Sequence, residues 1–405
     1  MLCSKKTVAS GFAVLFLSCG AAAAADPFEN LRYAFSGGTP NLDFRLRYEN
    51  VDQNNALRNA NAFTARTRLG YTTGKWNLFD IAAEYEGIAD LSEDAYNSTT
   101  NGQAGRSTVG DPTGDELNQA FIRYAGLPGT VLKLGRQRII YDNARFIGNV
   151  GWRQNEQTYD AFSLVNTTLP KTTFNYAYIG AIKGTNFAFV DASGHLLNLK
   201  YALMDELALT GYGYWLDFKL DPAAPPALSA RRDSRTLGLR AAGTVALAYP
   251  IIYAAEYARQ SQYKDSPSTV SAYYELAELG SKFGPVSPTL GYEKLSGNGT
   301  YGMQTPLATF HAFDGWADQF LITPNTGLVK TYLKLTGVAC DVTLTGFYHR
   351  FTAASGGAHY GNEWDASASY PVNDNLSVTL KYADYNASSF SVDTKKTWAL
   401  VEYKF

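Results

Sequence analysis

The stretch LDFRLRYE, residues 42–49, decides the fold, because apolar and charged side chains alternate along it without a break. Successive side chains of an extended strand point to opposite faces, so this stretch predicts a β-strand with one apolar face and one charged face. The same period of two recurs in residues 63–71 and 79–86. The chain therefore opens with a series of two-faced strands.

The pattern continues along the chain and predicts about 18 strands of about 10 to 16 residues, each long enough to cross a bilayer at a tilt. A high content of aromatic residues and glycine (28 Tyr, 22 Phe and 36 Gly, with 3 Met) suits strands and turns. The predicted strands begin near Leu42, Ala62, Trp76, Asp115, Thr130, Thr158, Thr172, His195, Leu207, Ser234, Leu247, Ser271, Val286, Leu328, Cys340, His359, Leu376 and Lys395.

The connections between these strands fall into two classes that alternate strictly. The short class, rich in Gly, Pro, Asn and Asp, comprises Thr72–Lys75, Ala125–Gly129, Leu169–Lys171, Met204–Glu206, Gly284–Pro285 and Val372–Asn375. The longer and more polar class comprises 50–61, 88–114, 143–157, 184–194, 219–233, 263–270, 297–327, 353–358 and 386–394. Such alternation is typical of periplasmic turns and extracellular loops, whereas a soluble β-sandwich would not keep it.

We therefore predict an all-β protein, a single transmembrane antiparallel β-barrel in the outer membrane, with short periplasmic turns and long extracellular loops. A closed barrel satisfies every backbone group in lipid, and its outside would contact outer-membrane lipid and lipopolysaccharide. The last strand, Trp398–Phe405, alternates and ends in Phe, which resembles the segment that the barrel-assembly machinery recognises.

The first 25 residues resemble a secretory signal peptide, with Lys5 and Lys6, a short apolar run and the small-residue stretch Ala21–Ala25. Cys19 raises a lipoprotein as the alternative. Cleavage after Ala25 leaves residues 26–405 as one barrel domain. It removes two Lys and no acid, so 33 basic face 37 acidic side chains, which argues against a nucleic-acid partner.

If the apolar face contacts lipid, the interleaved charged face lines the lumen, because an Arg or Lys in mid-bilayer lipid costs about 2 to 4 kcal/mol. The cations expected to line the pore and bind solute are Arg45, Arg47, Arg66, Arg68, Arg123, Arg136, Arg138, Arg145, Arg153, Arg240, Lys330, Lys334 and Lys381. Nine of these are Arg within residues 45–153, and rings of Arg or Lys select anions in pores. The alternative is that mixed charges only keep a wide lumen hydrated.

Two blocks of sequence resemble the alginate export family of outer-membrane porins. The first contains GRQ at 135–137, RFIG at 145–148, WRQ at 152–154 and YD at 159–160; the second is QTPLATFHAFDGWADQF at 304–320. The resemblance extends over the mature chain and implies a monomeric 18-stranded barrel whose Arg and Lys side chains steer an anionic saccharide. Binding carries over to Arg136, Arg145 and Arg153.

The expected function is diffusion of polar, anionic solutes such as sugar acids. Export of an anionic polysaccharide such as alginate is the alternative. Against it stand the acids Glu84, Glu86, Glu363 and Asp365, which would repel a polyuronate, and the lack of a long periplasmic turn. An outer-membrane enzyme or an adhesin is a minor alternative. The four His form no local constellation, so we predict no catalytic residue, metal or cofactor.

The segment 297–327 is the longest connection, yet it carries five large apolar side chains within residues 310–321. Left in water they would form an exposed patch of a kind that surfaces avoid. We therefore predict that the segment folds inward and constricts the pore, with its residues His311, Asp314, Trp316 and Asp318 at the constriction. Packing over the barrel mouth is the alternative, and the 143–157 loop is the other candidate for the constriction.

Overall fold

The computed structural model describes residues 27–219, 233–266 and 268–405. The predicted signal peptide, residues 1–25, lies outside these ranges. The described elements are helix α1 (Pro27–Ser36) and strands β1 (Thr39–Gln53), β2 (Ala60–Thr72), β3 (Phe79–Asp90), β4 (Gly114–Leu127), β5 (Thr130–Gln137), β6 (Thr158–Asn166), β7 (Thr172–Lys183), β8 (Phe189–Met204), β9 (Leu207–Phe218), β10 (Ser234–Val245), β11 (Ile251–Gln262), β12 (Ser271–Ser281), β13 (Val286–Leu295), β14 (Leu328–Ala339), β15 (Val342–Thr352), β16 (His359–Pro371), β17 (Leu376–Ala387) and β18 (Thr394–Lys404).

The strands close into one barrel. Each described strand pairs antiparallel with the next in sequence, and β18 pairs with β1 from Asp43↔Lys404 to Gln53↔Thr394. The predicted fold class, a closed antiparallel barrel of 18 strands, is confirmed for the described part of the chain. The predicted strict alternation of short and long connections is not, because residues 184–188 between β7 and β8 are no more numerous than the turn at 167–171 between β6 and β7.

The two faces of the strands follow the alternation in sequence. On β2, Phe63 and Leu69 point outward and are exposed, while Thr64, Arg66 and Arg68 point inward and are buried. The apolar outer face belongs in lipid, whereas the inner face carries the charges. The strand pattern alone thus assigns most side chains to the lumen or to the membrane.

Some strand boundaries differ from the prediction. Leu247 lies in the turn between β10 and β11, because this turn is itself apolar and Tyr249 packs on Phe283 at 5.0 Å. Strand β8 begins at Phe189 instead of His195, since Asp191 and its neighbours still pair with β7 although they do not alternate cleanly. Trp76 precedes β3 by three residues and belongs to the preceding turn.

Helix α1 was not predicted. Its last turn is closed by Gly37 N, which donates to Tyr33 O at 2.9 Å, and Gly74 N donates to Ala34 O at 2.8 Å. The helix thus lies against the β2–β3 turn at the periplasmic end. Within the described residues, no helix is long and apolar enough to cross a membrane.

Candidate functional site

Two long loops turn into the barrel and join there. We call residues 138–157, between β5 and β6, the first inner loop, and residues 296–327, between β13 and β14, the second inner loop. Gly148 N donates to Leu307 O at 2.8 Å, and Thr309 N donates to a carbonyl of the first inner loop at 3.0 Å. The loops therefore form one body.

Arg145 of the first inner loop is the centre of a buried charge cluster. Its guanidinium donates to both carboxylate oxygens of Asp314 at 2.9 and 3.1 Å and lies 2.6 Å from Glu293 on β13. Lys330 on β14 contacts the same two carboxylates, at 2.8 Å for Asp314. Two cations and two carboxylates balance here, which keeps charges buried without a net excess.

Asp318 of the second inner loop is the acceptor of a second cluster. Lys396 Nζ lies 2.8 Å from it, His311 Nδ1 also 2.8 Å, and Arg153 of the first inner loop 3.3 Å. Burial alone would raise the pKa of Asp318, but Lys396, His311 and Arg153 outweigh it and hold the pKa well below its usual range. The carboxylate therefore stays ionised and ties both inner loops to β18.

An aromatic stack adjoins the second cluster through His311. Trp152 and His311 are parallel with ring centroids 3.4 Å apart, and Trp316 continues the stack at 6.1 Å. The ammonium of Lys381 on β17 lies 4.0 Å from the centre of the Trp316 ring and 2.7 Å from His311 Nε2. Burial and the nearby Lys381 lower the pKa of His311 to about 3, although Asp318 opposes them, so the imidazole is neutral.

The arginines of β1 and β2 hold the backbone of the first inner loop. Arg47 donates to Trp152 O at 2.7 Å, and Arg45 donates to Arg153 O at 3.0 Å. Arg66 donates to the carbonyl oxygen of the next loop residue, Gln154, at 3.4 Å. These guanidinium groups satisfy loop carbonyls that have no strand partner.

Arg68 and Arg138 share the buried carboxylate Glu156. Arg68 lies 3.3 Å from it, and Arg138 donates to Glu156 as well as to Glu84 at 2.6 Å. Burial alone would raise the pKa of Glu156, but Arg68 and Arg138 lower it to about 2. Glu156 thus fixes the end of the first inner loop to β2, and Arg138 links the start of the loop to Glu84 on β3.

Open space remains on one side of the joined loops. A cavity of about 410 Å³ is lined by Arg68, Arg138, Lys404 and Arg45, with Asp43, Glu84 and Glu156 among its acids. A narrower one of about 120 Å³ is lined by Arg45, Arg47, Lys381, Trp152, Trp398 and Glu402. Arg45 belongs to both walls, so the two spaces adjoin.

Arg136 requires a correction. It shares a strand face with Leu134, which is exposed on the outside of the barrel, whereas the neighbouring Gln137 is buried inside. The Arg136 guanidinium pairs with Asp160 at 2.7 Å on the same outer face. It does not line the lumen, because a period of two puts residues 134 and 136 on one side.

The remaining cations predicted to line the pore point inward. Arg123 pairs with Asp80 at 2.8 Å, and Arg240 pairs with Glu256 at 2.6 Å. Lys334 and Arg240 border another inner cavity, of about 530 Å³. By contrast, Arg66 and Lys330 are almost fully buried beneath the inner loops and Arg145 is buried within them, so these three contact carboxylates and backbone instead of lumen water. Arg47 is equally buried but borders the narrow cavity.

The second inner loop enters the barrel, as predicted. Its polar residues, however, do not face the path of the solute, where they were expected. Instead, His311, Asp314 and Asp318 are buried in contacts with the first inner loop and the wall. The reason is that the two loops bring opposite charges together, which sequence spacing does not reveal. Trp316 packs on Lys381 and Phe347.

Sequence reasoning missed three residues of this arrangement: Lys396, Trp398 and Glu156. Lys396 and Trp398 lie on β18 opposite the apolar set that predicted its lipid face, so the same alternation could have placed them inside. Glu156 carries no such signal, because it lies in a loop.

The closed 18-stranded barrel, its apolar outside and its charged interior define an outer-membrane barrel of the porin and channel type. Residues 31–179 match the alginate export family, which bears out the resemblance for the first sequence block; the block at 304–320 lies outside the matched range. No curated protein matches the chain.

Solved outer-membrane porins share the fold at low sequence identity. Pseudomonas aeruginosa OccK3 (OpdO) superposes with a TM-score of 0.69 at 14% identity, covering 93% of this chain and 98% of its own. Acinetobacter baumannii OccAB4 gives a TM-score of 0.71 at 14% identity, covering 91% and 98%. Pseudomonas aeruginosa OpdK, solved with vanillate, gives 0.68 at 14% identity, covering 92% and 99%.

Proposed function

We propose that the protein is a passive diffusion channel for small anionic solutes, such as sugar acids and other carboxylates. The observation that supports this most is the pair of adjoining cavities around Arg45. Six cationic side chains line them (Arg45, Arg47, Arg68, Arg138, Lys381 and Lys404) against four acidic side chains (Asp43, Glu84, Glu156 and Glu402), an excess of two positive charges among the side chains.

The narrow cavity is suited to a solute with both a carboxylate and a flat body. Its cations can take the carboxylate, and guanidinium groups do so in a fixed fork. Trp152 and Trp398 border it beside them, with ring centroids 6.4 Å apart. Vanillate, the compound with which OpdK was solved, is an aromatic carboxylate of this class.

Selectivity is tested by reversal potential in planar bilayers under a salt gradient. We expect preference for the anion, reduced in a double variant, Arg45→Ser with Lys381→Gln. Arg136→Ser is the matched control, because that guanidinium lies on the outer face. Cation preference in the unmodified protein would overturn the proposal.

Solute class is tested by swelling of liposomes that contain the protein. 4-Hydroxybenzoate and 4-hydroxybenzyl alcohol form a size-matched pair that differs in the carboxylate. Faster entry of the carboxylate, lost in the double variant, is the expected result. Equal rates would mean that charge does not govern permeation.

Export of an anionic polysaccharide is the second candidate, and the match of residues 31–179 to the alginate export family favours it. However, the two inner loops occupy the lumen and are joined by buried ion pairs such as Arg145 with Asp314. A polymer would have to displace them. Retention of alginate secretion when this chain replaces an exporter in a deletion strain would support the second candidate.

We further propose that residues 1–25 are removed on export, that the barrel-assembly machinery inserts residues 26–405 as one domain, and that the barrel works as a monomer. The mass of the protein purified from outer membranes tests the cleavage site. Light scattering in detergent tests the monomer, and a trimer would contradict it.

A further inference from the structure

The outer face of the barrel carries an asymmetric set of cations near the extracellular ends of β10 to β15. Arg235, Arg259, Lys294 and Arg350 all lie on lipid-facing positions of these strands. Arg235, Arg259 and Arg350 are exposed and form no ion pair within the described residues. The acid on this face, Glu275, lies 3.9 Å from Lys294, so a net excess of three positive charges remains.

A polar pocket of about 340 Å³ opens between two of these cations. Arg259 and Lys294 line it together with Tyr257 and Tyr273. The ammonium of Lys294 lies 4.8 Å from the centre of the Tyr273 ring and 2.7 Å from its hydroxyl. The pocket thus presents cations and hydroxyl donors at the level where the membrane meets water.

An apolar groove of about 550 Å³ begins directly beneath the pocket, on the same strands. Leu279, Leu290 and Leu333 are paired across β12, β13 and β14, and form its floor. At the next outward-facing positions toward the extracellular end, the small side chains of Ala277 and Thr331 leave room between larger neighbours. Arg350 pairs with Thr331 and lies at the rim of the groove. Lys294 lies two residues beyond this level along its strand, nearer the extracellular end.

We propose that this face binds one molecule of lipopolysaccharide, through its bisphosphorylated lipid A. The phosphates contact Arg259 and Lys294 in the pocket and Arg350 at the rim, and an acyl chain lies along the leucine floor. Charge complementarity selects this occupant: the outer leaflet consists of an anionic glycolipid, and clustered basic residues at a membrane surface bind anionic head groups. The elongated groove below supplies the apolar part of the site.

The test uses protein refolded free of lipopolysaccharide in detergent, with binding of three probes followed by native mass spectrometry. The probes are bisphosphorylated lipid A, the same lipid dephosphorylated, and phosphatidylglycerol. We expect the first to bind most tightly. In the triple variant Arg259→Gln, Lys294→Gln, Arg350→Gln its affinity should fall roughly fivefold for each cation removed.

Lys395→Gln is the matched control, because Lys395 is an exposed outer-face cation at the extracellular end of β18, away from the groove. It should leave binding unchanged. A second variant, Thr331→Trp, fills the groove without altering charge and should weaken lipid A but leave binding of a soluble glucosamine phosphate intact. Equal binding of dephosphorylated lipid A, or an equal loss in Lys395→Gln, would overturn the proposal. Tighter binding of phosphatidylglycerol would assign the site to phospholipid instead.

Discussion

Arg145 and Asp314, 169 positions apart in sequence, form a two-point ion pair with nitrogen–oxygen distances of 2.9 and 3.1 Å. One residue belongs to the first inner loop and the other to the second, and both are buried. Because Glu293 and Lys330 complete the cluster, the pair also fixes both loops to the barrel wall. The pair thus joins two loops that leave the barrel wall eight strands apart, after β5 and after β13.

Replacing Arg145 by Met should loosen the joined loops. Asp314 and Glu293 would then share one cation, Lys330, and breaking a buried ion pair costs about 3 to 5 kcal/mol. Single-channel recordings should show higher and noisier conductance. Arg136→Met, which removes a guanidinium from the outer face, is the control; identical traces for both variants would mean that the cluster does not govern the opening.

Deleting Ala308 to Asp318 should raise conductance clearly, because this segment supplies His311, Asp314 and Trp316 to the lumen. Removing Gly356 and Gly357 from an exposed extracellular loop provides the comparison. Should conductance and noise stay at the level of the unmodified protein, the second inner loop does not constrict the pore. The first inner loop would then be the better candidate.

Acid should weaken the attachment of the second inner loop. The pKa of buried His311 is lowered to about 3, while a detached imidazole titrates near its ordinary value of 6.5. As pH falls below 6.5 the detached loop binds a proton that the attached loop does not, so attachment loses stability with falling pH. The carboxylate of Asp318 adds to this loss only below its usual value, near 3.8.

Two pH units below 6.5 correspond to a shift of roughly a hundredfold in the attachment equilibrium. Channel noise recorded at pH 7, 5.5 and 4.5 should therefore rise stepwise. His311→Gln should remove the change between pH 6.5 and 4.5. A variant with the same pH profile as the parent would show that another group is responsible.

Deleting Phe405 should reduce assembly into the outer membrane. Its backbone pairs with Leu42 in both directions, at 2.8 and 3.0 Å, and its ring is exposed on the lipid side. Loss of the residue removes the two backbone hydrogen bonds at the end of the β18–β1 pairing, and it also removes the terminal aromatic side chain. Heat-modifiable electrophoretic mobility and surface labelling measure the effect, with Phe405→Tyr as the conservative comparison; full assembly of the deletion would count against the role.

Much of the fold could be predicted from the sequence, because lipid outside and charge inside impose a period of two on the strands. Residues 42–49 already assign Arg45 and Arg47 to the lumen, and β1 places them there. Helix α1 escaped prediction, since its ten residues carry neither a strand period nor the length of a typical predicted helix.

The site was less predictable, because burial inside the barrel is decided by loops. Alternation shows that Arg66 and Lys330 point inward, but not that loops cover them. The partners Arg145 and Asp314 come from two different loops, and no local pattern links them. Arg136 was wrongly predicted to bind solute, because the prediction followed a family motif and not the period of two that puts residues 134 and 136 on the outer face.

The pairing of β1 with β18 makes the barrel a ring in which no strand is structurally first or last. The order in which strands appear during synthesis is therefore separate from the order in which they lie in the membrane. A circular permutant, with the present ends joined and new ends cut at the tight turn Cys340–Asp341, would keep every strand neighbour. It would, however, present Ala339 or Cys340 in place of Phe405 at the C-terminus. Such a chain would show whether closure of the barrel depends only on the pairing of neighbouring strands, or also on the C-terminal residue that is expected to direct insertion.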